Sequence, residues 1–219
     1  MPSVMLYQGD CLDVMREIPS GSVDAVVTDP PYGISYVLGR GGNGVCARRN
    51  CDKPIYGDDI PFDPSPWLNW PLLFWGANHC RKVPAGGSWL VWDKSPGGIG
   101  PDVSFADAEI AWTSKPGIKR NVCRYLWMGI ACVKAGENNG KRDHPTQKPL
   151  GLMRWCISLL DLPVGATILD PYMGSGSTGV AAAQLGYNFI GIEIDPTYFA
   201  MAERRIKEAQ MQPTLEGLL

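Results

Sequence analysis

The stretch that most narrows the fold runs from Thr167 to Ile206. Thr167-Ile-Leu169 reads as a strand ending at Asp170; Pro-Tyr-Met-Gly174-Ser-Gly176-Ser-Thr follows, and Gly179 to Leu185 is an alanine-rich helix that Gly186 can terminate. Asn188 to Ile194 is the next strand. Asp195 then caps a helix with Pro196 in first position and Phe199, Ala202 and Ile206 on one face. A strand, a helix and a second strand joined by short links pack as a right-handed parallel unit. The fold class predicted is α/β, a mostly parallel twisted sheet with helices on both faces.

The amino-terminal thirty residues repeat that logic. Val4-Met-Leu-Tyr7 is a short strand closed by Gln8-Gly9-Asp10, Leu12, Met15 and Ile18 recur at helical spacing before Pro19, and Val23 to Thr28 is a β-rich run suited to burial on both faces. From Gly33 to Pro66 the pattern dissolves into glycines, Arg40, Arg48, Arg49 and a proline-studded tail, a long loop of the kind that carries function. Trp67 to Val83 is apolar but leaves helix and strand open. Ser88 to Trp92 and Ala108 to Thr113 are further strands, and Pro149 to Leu160 is a helix with proline in its first turn. A length of 219 residues with 45% hydrophobic side chains suits one domain, residues 1–219, with 33–66 as its long loop and 116–143 as a short insertion.

No stretch approaches the roughly 18 apolar residues of a membrane span, and the first residues lack a signal-peptide pattern, so a cytoplasmic protein is expected. Seven scattered cysteines point to reduced, buried thiols. Cys46 and Cys51 with His79-Cys80 offer four zinc donors, but the spacing matches no common finger, and no metal is expected. Net charge is −2, yet between Ala111 and Leu150 eight cations (Lys115, Lys119, Arg120, Arg124, Lys134, Lys141, Arg142, Lys148) face only Glu137 and Asp143. That stretch is either a solvated face or a phosphate-contacting surface.

Two motifs carry chemistry. In the loop Asp170 to Gly179, glycines let backbone approach a ligand and a helix N-terminus offers free N–H groups; Glu193, at the end of the next strand, is placed for a ribose. A nucleoside cofactor is implied. A phosphate-binding P-loop needs Lys-Ser/Thr after the glycines, and none is present; the letters also fit a nicotinamide site, whereas a carboxylate at Asp170 suits a cationic ligand such as S-adenosylmethionine. The second motif is Asp29-Pro30-Pro31-Tyr32 at the end of a strand. Pro30 and Pro31 lock a turn without N–H donors, presenting the Asp29 carboxylate, a backbone carbonyl and the face of Tyr32 to one spot. Such a wall suits a flat, amino-bearing ring.

Asp29 to Tyr32 resembles the catalytic motif of S-adenosylmethionine-dependent DNA amino-methyltransferases, and Asp170 to Gly179 resembles their cofactor loop. The catalytic motif comes first, as in the permuted beta group of that family. Gly9-Asp10-Cys11-Leu12 and His144-Pro-Thr-Gln-Lys148-Pro149 resemble two further family segments, so the likeness spans residues 9 to 32 and 144 to about 206. It implies a Rossmann-like methyltransferase fold with circularly permuted motif order, and S-adenosyl-L-methionine as cofactor. Asp10 and Cys11 would line its adenine pocket; Tyr172, Gly174, Ser175, Gly176 and Ser177 would surround the methionine part, Glu193 the ribose, and His144 and Lys148 the carboxylate. An Asp at position 29 implies adenine-N6 over cytosine-N4 as target. DNA is the implied partner, contacted by Arg40, Arg48, Arg49 and the basic stretch, with a short or relaxed recognition site; a homodimer is compatible. Two rival readings are a nicotinamide-dependent oxidoreductase and a non-catalytic DNA-binding relative of these enzymes.

Overall fold

A computed structural model describes residues 2–35, 55–94, 106–125 and 147–212. Eight strands form one sheet: β1 (Val4–Gln8), β2 (Ala25–Thr28), β3 (Leu72–Trp75), β4 (Ser88–Asp93), β5 (Ala108–Thr113), β6 (Val122–Arg124), β7 (Thr167–Asp170) and β8 (Asn188–Glu193), in the order β1-β8-β7-β2-β3-β5-β4-β6. Only β5 runs against its neighbours, pairing antiparallel with β3 and β4. The helices are α1 (Cys11–Val14), α2 (Leu150–Ser158), α3 (Ser177–Gln184) and α4 (Pro196–Gln210).

Alternation along each buried strand separates two cores. Ala25, Val27, Leu73, Trp75, Ile168 and Phe189 face one way, into a core shared with Leu152, Cys156, Ala181 and Ile206 from α2, α3 and α4. Val26, Leu72, Phe74, Leu169 and Ile190 face the other way, where Cys11 of α1, Phe62 and Trp67 cover them. One face thus carries three helices, and the other α1, short 3₁₀ turns and aromatic side chains.

Several local expectations shift. The helix expected to reach Ile18 stops at Val14, because Arg16 and Glu17 bond back only three residues as the chain tightens ahead of Pro19. Helix α3 starts at Ser177, two residues before the expected start at Gly179, where a Cβ would sit 2.5 Å from Ile206 Cδ1. That glycine's work is to let α4 approach. Pro149 is the N-cap of α2, one position earlier than expected. Within 67–83 the apolar run resolves into β3 and a 3₁₀ turn, Ala77–His79. β6 falls in the stretch read as an insertion.

The topology creates a crevice. From β7 the chain crosses to β8 on one side, and from β2 to β3 on the other, so the gap at the carboxyl ends of β2 and β7 is a switch point, where open α/β sheets bind ligands. Antiparallel β5 begins at that same edge.

Candidate active site

Asp29 follows β2 at this edge, and both its carboxylate oxygens hold a donor. Oδ1 accepts from the Tyr32 hydroxyl at 2.8 Å, and Oδ2 pairs with Lys148 Nζ at 2.6 Å. The Lys148 ammonium also lies 3.1 Å from the Tyr32 oxygen and 3.2 Å from Glu109 Oε2. Glu109 Oε1 takes a second cation, Lys94, from the end of β4. The Tyr32 ring stacks on His79, with centroids 5.5 Å apart and planes 12° from parallel. Room for that ring comes from Gly76, where a Cβ would lie 2.2 Å from a Tyr32 carbon.

Charges alternate through this buried group, from Asp29 through Lys148 and Glu109 to Lys94. Burial would drive Lys148 toward its neutral form, but the two carboxylates outweigh it and hold its pKa above the ordinary lysine value. Burial likewise opposes ionisation of Glu109, yet Lys148 and Lys94 lower it to about 2. Asp29 is raised, by burial first, with Lys148 pulling the other way and Glu109 adding to the rise. The Tyr32 phenol, buried beside two carboxylates, is raised well above its usual value and stays protonated as a donor.

Across the crevice lies the glycine loop. Gly174 and Gly176 have φ of 51° and 81°, a left-handed backbone open to glycine. Gly174 N–H donates to Glu193 Oε2 at 2.8 Å, and Asp195 N–H donates to Glu193 Oε1 at 2.8 Å. The Ser177 hydroxyl, in the first turn of α3, is buried with no hydrogen-bond partner. Arg205 of α4 ties down Ser175 through its hydroxyl, at 2.9 Å, and its carbonyl. Asp10 caps α1 by accepting from Leu12 and Asp13 N–H, and Cys11 lies beside the Tyr172 side chain, whose ring meets Phe62 and Trp67 edge-on.

The fold thus collects Asp10, Cys11, Asp29, Tyr32, Lys148, Asp170, Tyr172, Gly174 to Ser177 and Glu193 at one sheet edge. Two placements depart from expectation. The Asp170 carboxylate is not open to a ligand: it is 2% exposed and accepts from Thr28 Oγ1 (2.7 Å), Thr178 Oγ1 (2.5 Å) and Tyr172 N–H (3.1 Å). Lys148 is committed to Asp29 and Glu109 rather than to the glycine loop.

The proposed DNA contacts divide. Arg124 ends β6 at the carboxyl edge, 3.9 Å from Asp93. Lys115 follows β5, whose reversed direction carries it to the opposite edge, where it pairs with Asp161; Lys119 and Arg120 lead into β6 from that side. These three are not brought to Asp29. Arg40, Arg48, Arg49, Lys141, Arg142 and His144 lie outside the described residues, as do Cys46 and Cys51 of the candidate metal cluster. Glu109, Lys94 and His79 were missed as members of the site. A charged residue within the apolar strand Ala108 to Thr113 was the one signal for Glu109.

Solved structures of DNA methyltransferases share this fold. The M1.HpyAVI–SAM complex aligns with a TM-score of 0.56 at 23% identity, covering 93% of this chain and 99% of that one. The cytosine-N4-specific PvuII DNA methyltransferase aligns with a TM-score of 0.53 at 18% identity, covering 96% and 92%. Residues 116–204 match the N6/N4 methyltransferase family model, a DNA methylase. The Type II methyltransferase M.HinfI of Haemophilus influenzae is 25% identical over 267 residues, 95% of this chain and 69% of that protein. Over residues 116–204 the chain is thus similar to the N6/N4 family of DNA methyltransferases. Among the described residues no helix is long and apolar enough to cross a membrane.

Proposed function

We propose that this protein transfers the methyl group of S-adenosylmethionine to the exocyclic N6 amino group of adenine in duplex DNA. The observation that carries the reading is the pairing, across the gap between β2 and β7, of an aromatic and carboxylate wall with a glycine loop. Asp29 and Tyr32 stand on one side, and Gly174 to Ser177 on the other.

The glycine loop fits the cofactor. The orphaned Ser177 hydroxyl and the N-terminus of α3 are free donors, and Glu193 keeps lone pairs beyond those used by Gly174 and Asp195. S-adenosylmethionine supplies an electrophilic methyl on a sulfonium, which departs as a thioether when the amine nitrogen takes the methyl. The protein's own task is to make that nitrogen a nucleophile. Its lone pair is delocalised into the ring, and hydrogen bonds from the amine to Asp29 and to the Pro30 carbonyl localise and aim it. Asp29 also offers an oxygen to the proton that the nitrogen sheds. The base leaves the helix stack to reach the crevice, and the stacked Tyr32–His79 pair is a platform for its face. The acid at position 29 supports adenine, where the cytosine enzymes of the resembled family more often carry Ser.

Incubating the protein with labelled S-adenosylmethionine and mixed-sequence DNA, then digesting to nucleosides, tests this. Label in N6-methyladenine is expected. Label in N4-methylcytosine would overturn the choice of base, and tight nicotinamide binding without methyl transfer would overturn the reading altogether.

A further inference from the structure

The resting geometry poses a problem for the reading above. Asp29 must accept hydrogen bonds from a substrate amine, yet each of its oxygens already holds a competing donor, one a phenol and one an ammonium. Lys148 is 7% exposed, so if its ion pair with Asp29 were surrendered, water could not replace it. A buried ammonium left without a partner is strongly unfavourable, which would prevent the exchange.

Glu109 removes that cost. Both donors that occupy Asp29 also reach a single Glu109 atom, Oε2: Lys148 Nζ at 3.2 Å and the Tyr32 hydroxyl at 3.5 Å. The other oxygen of Glu109 is held by Lys94, which anchors the carboxylate at the start of β5. We propose that Glu109 is a positioning residue that shares Lys148 and Tyr32 with Asp29, taking them over when the target amine arrives and so freeing Asp29 oxygens to accept from it. The inference rests on the methyl-transfer reading, because it is the amine that displaces the two donors. Net charge stays unchanged throughout, and neither cation nor phenol is left without an acceptor. Only short hydrogen-bond shifts within a preformed group are required.

Among the described residues the groups facing Asp29 are Tyr32 in its own turn, Lys148 ahead of α2, Glu109 from β5 with Lys94 behind it, and Asp170 from β7. Removing the negative charge of Glu109 therefore has a sign. In Glu109→Gln, Lys148 keeps Asp29 as its one remaining carboxylate among the described residues and clamps it. The Asp29 ionisation midpoint, followed by carbon NMR on the free protein, is expected to fall by about one pH unit. The turnover rate is expected to fall about tenfold with the cofactor KM unchanged. Glu109→Asp, which keeps the charge, is expected to return the midpoint toward wild type, separating this role from a merely structural one.

An unmoved midpoint in Glu109→Gln, or a lowered midpoint with undiminished turnover, would overturn the inference. The midpoint is read without DNA or cofactor. A lowered midpoint in a protein whose wild type methylates no DNA would therefore overturn the displacement by an amine together with the methyl-transfer reading. A wild type that methylates DNA with an unmoved midpoint in Glu109→Gln would overturn this inference alone.

Discussion

Two aspartates close adjacent parallel strands in nearly the same local sequence, Asp29-Pro-Pro-Tyr-Gly33 after β2 and Asp170-Pro-Tyr-Met-Gly174 at the end of β7. Their surroundings make them different instruments. Asp170 is surrounded by neutral donors, two threonine hydroxyls and one N–H, and burial raises it to about 7. Its bond to Thr28 braces β7 against β2, and its bond to Thr178 braces the same strand against α3. Asp29 is also raised by burial, but the Lys148 ammonium opposes that rise and keeps the carboxylate an acceptor. A shared strand-end Asp-Pro thus becomes a brace beside hydroxyls and an acceptor beside an ammonium. The charge of the neighbours decides, and the neighbours come from elsewhere in the chain.

That contrast can be broken by substitution. The largest effect is expected from Asp29→Ala: methyl transfer should fall by about three orders of magnitude while cofactor affinity, measured by calorimetry, changes less than about threefold. Parallel loss of both would make Asp29 another brace. Asp170→Ala should act on the fold instead, because Thr28, Thr178 and the Tyr172 N–H lose a buried acceptor; urea unfolding should show a loss of about 3 kcal/mol.

The same side chain should also show itself in the pH dependence of Asp170→Asn. An acid whose folded pKa is raised keeps its proton in the folded state between its ordinary value of 3.8 and about 7, where the unfolded chain has lost it. Its contribution is therefore most favourable below the ordinary value and declines as pH rises through that window. Unfolding measured from pH 4 to 8 should show the wild type losing about 4 kcal/mol relative to Asp170→Asn. A flat difference would place charge on Asp170 throughout and erase its distinction from Asp29.

The readable parts of the site were those built from neighbours in sequence. The glycine loop between β7 and α3, the Asp195 cap with Pro196 in first position, and the Asp29 to Tyr32 turn are set by backbone freedom and local hydrogen bonding. The shortening of α1 was a local competition as well, between the helix and the turn that tightens ahead of Pro19. What could not be read was which distant residues meet. Glu109 joins Asp29 and Lys148 because β5 runs antiparallel and so begins where β2 ends, and that same reversal removes Lys115 from the edge where a basic stretch had placed it.

Sequence by itself therefore determined the alternation of strands and helices, the ligand loop and the rigid acidic turn, since each is encoded by residues within one or two turns of chain. Tertiary structure alone decided that Asp29 is held by Lys148, 119 residues away, that Glu109 competes for the same ammonium, and that Asp170 faces inward. The physical reason is that ionisation depends on burial and on the charge of neighbours in space, and strand direction sets both.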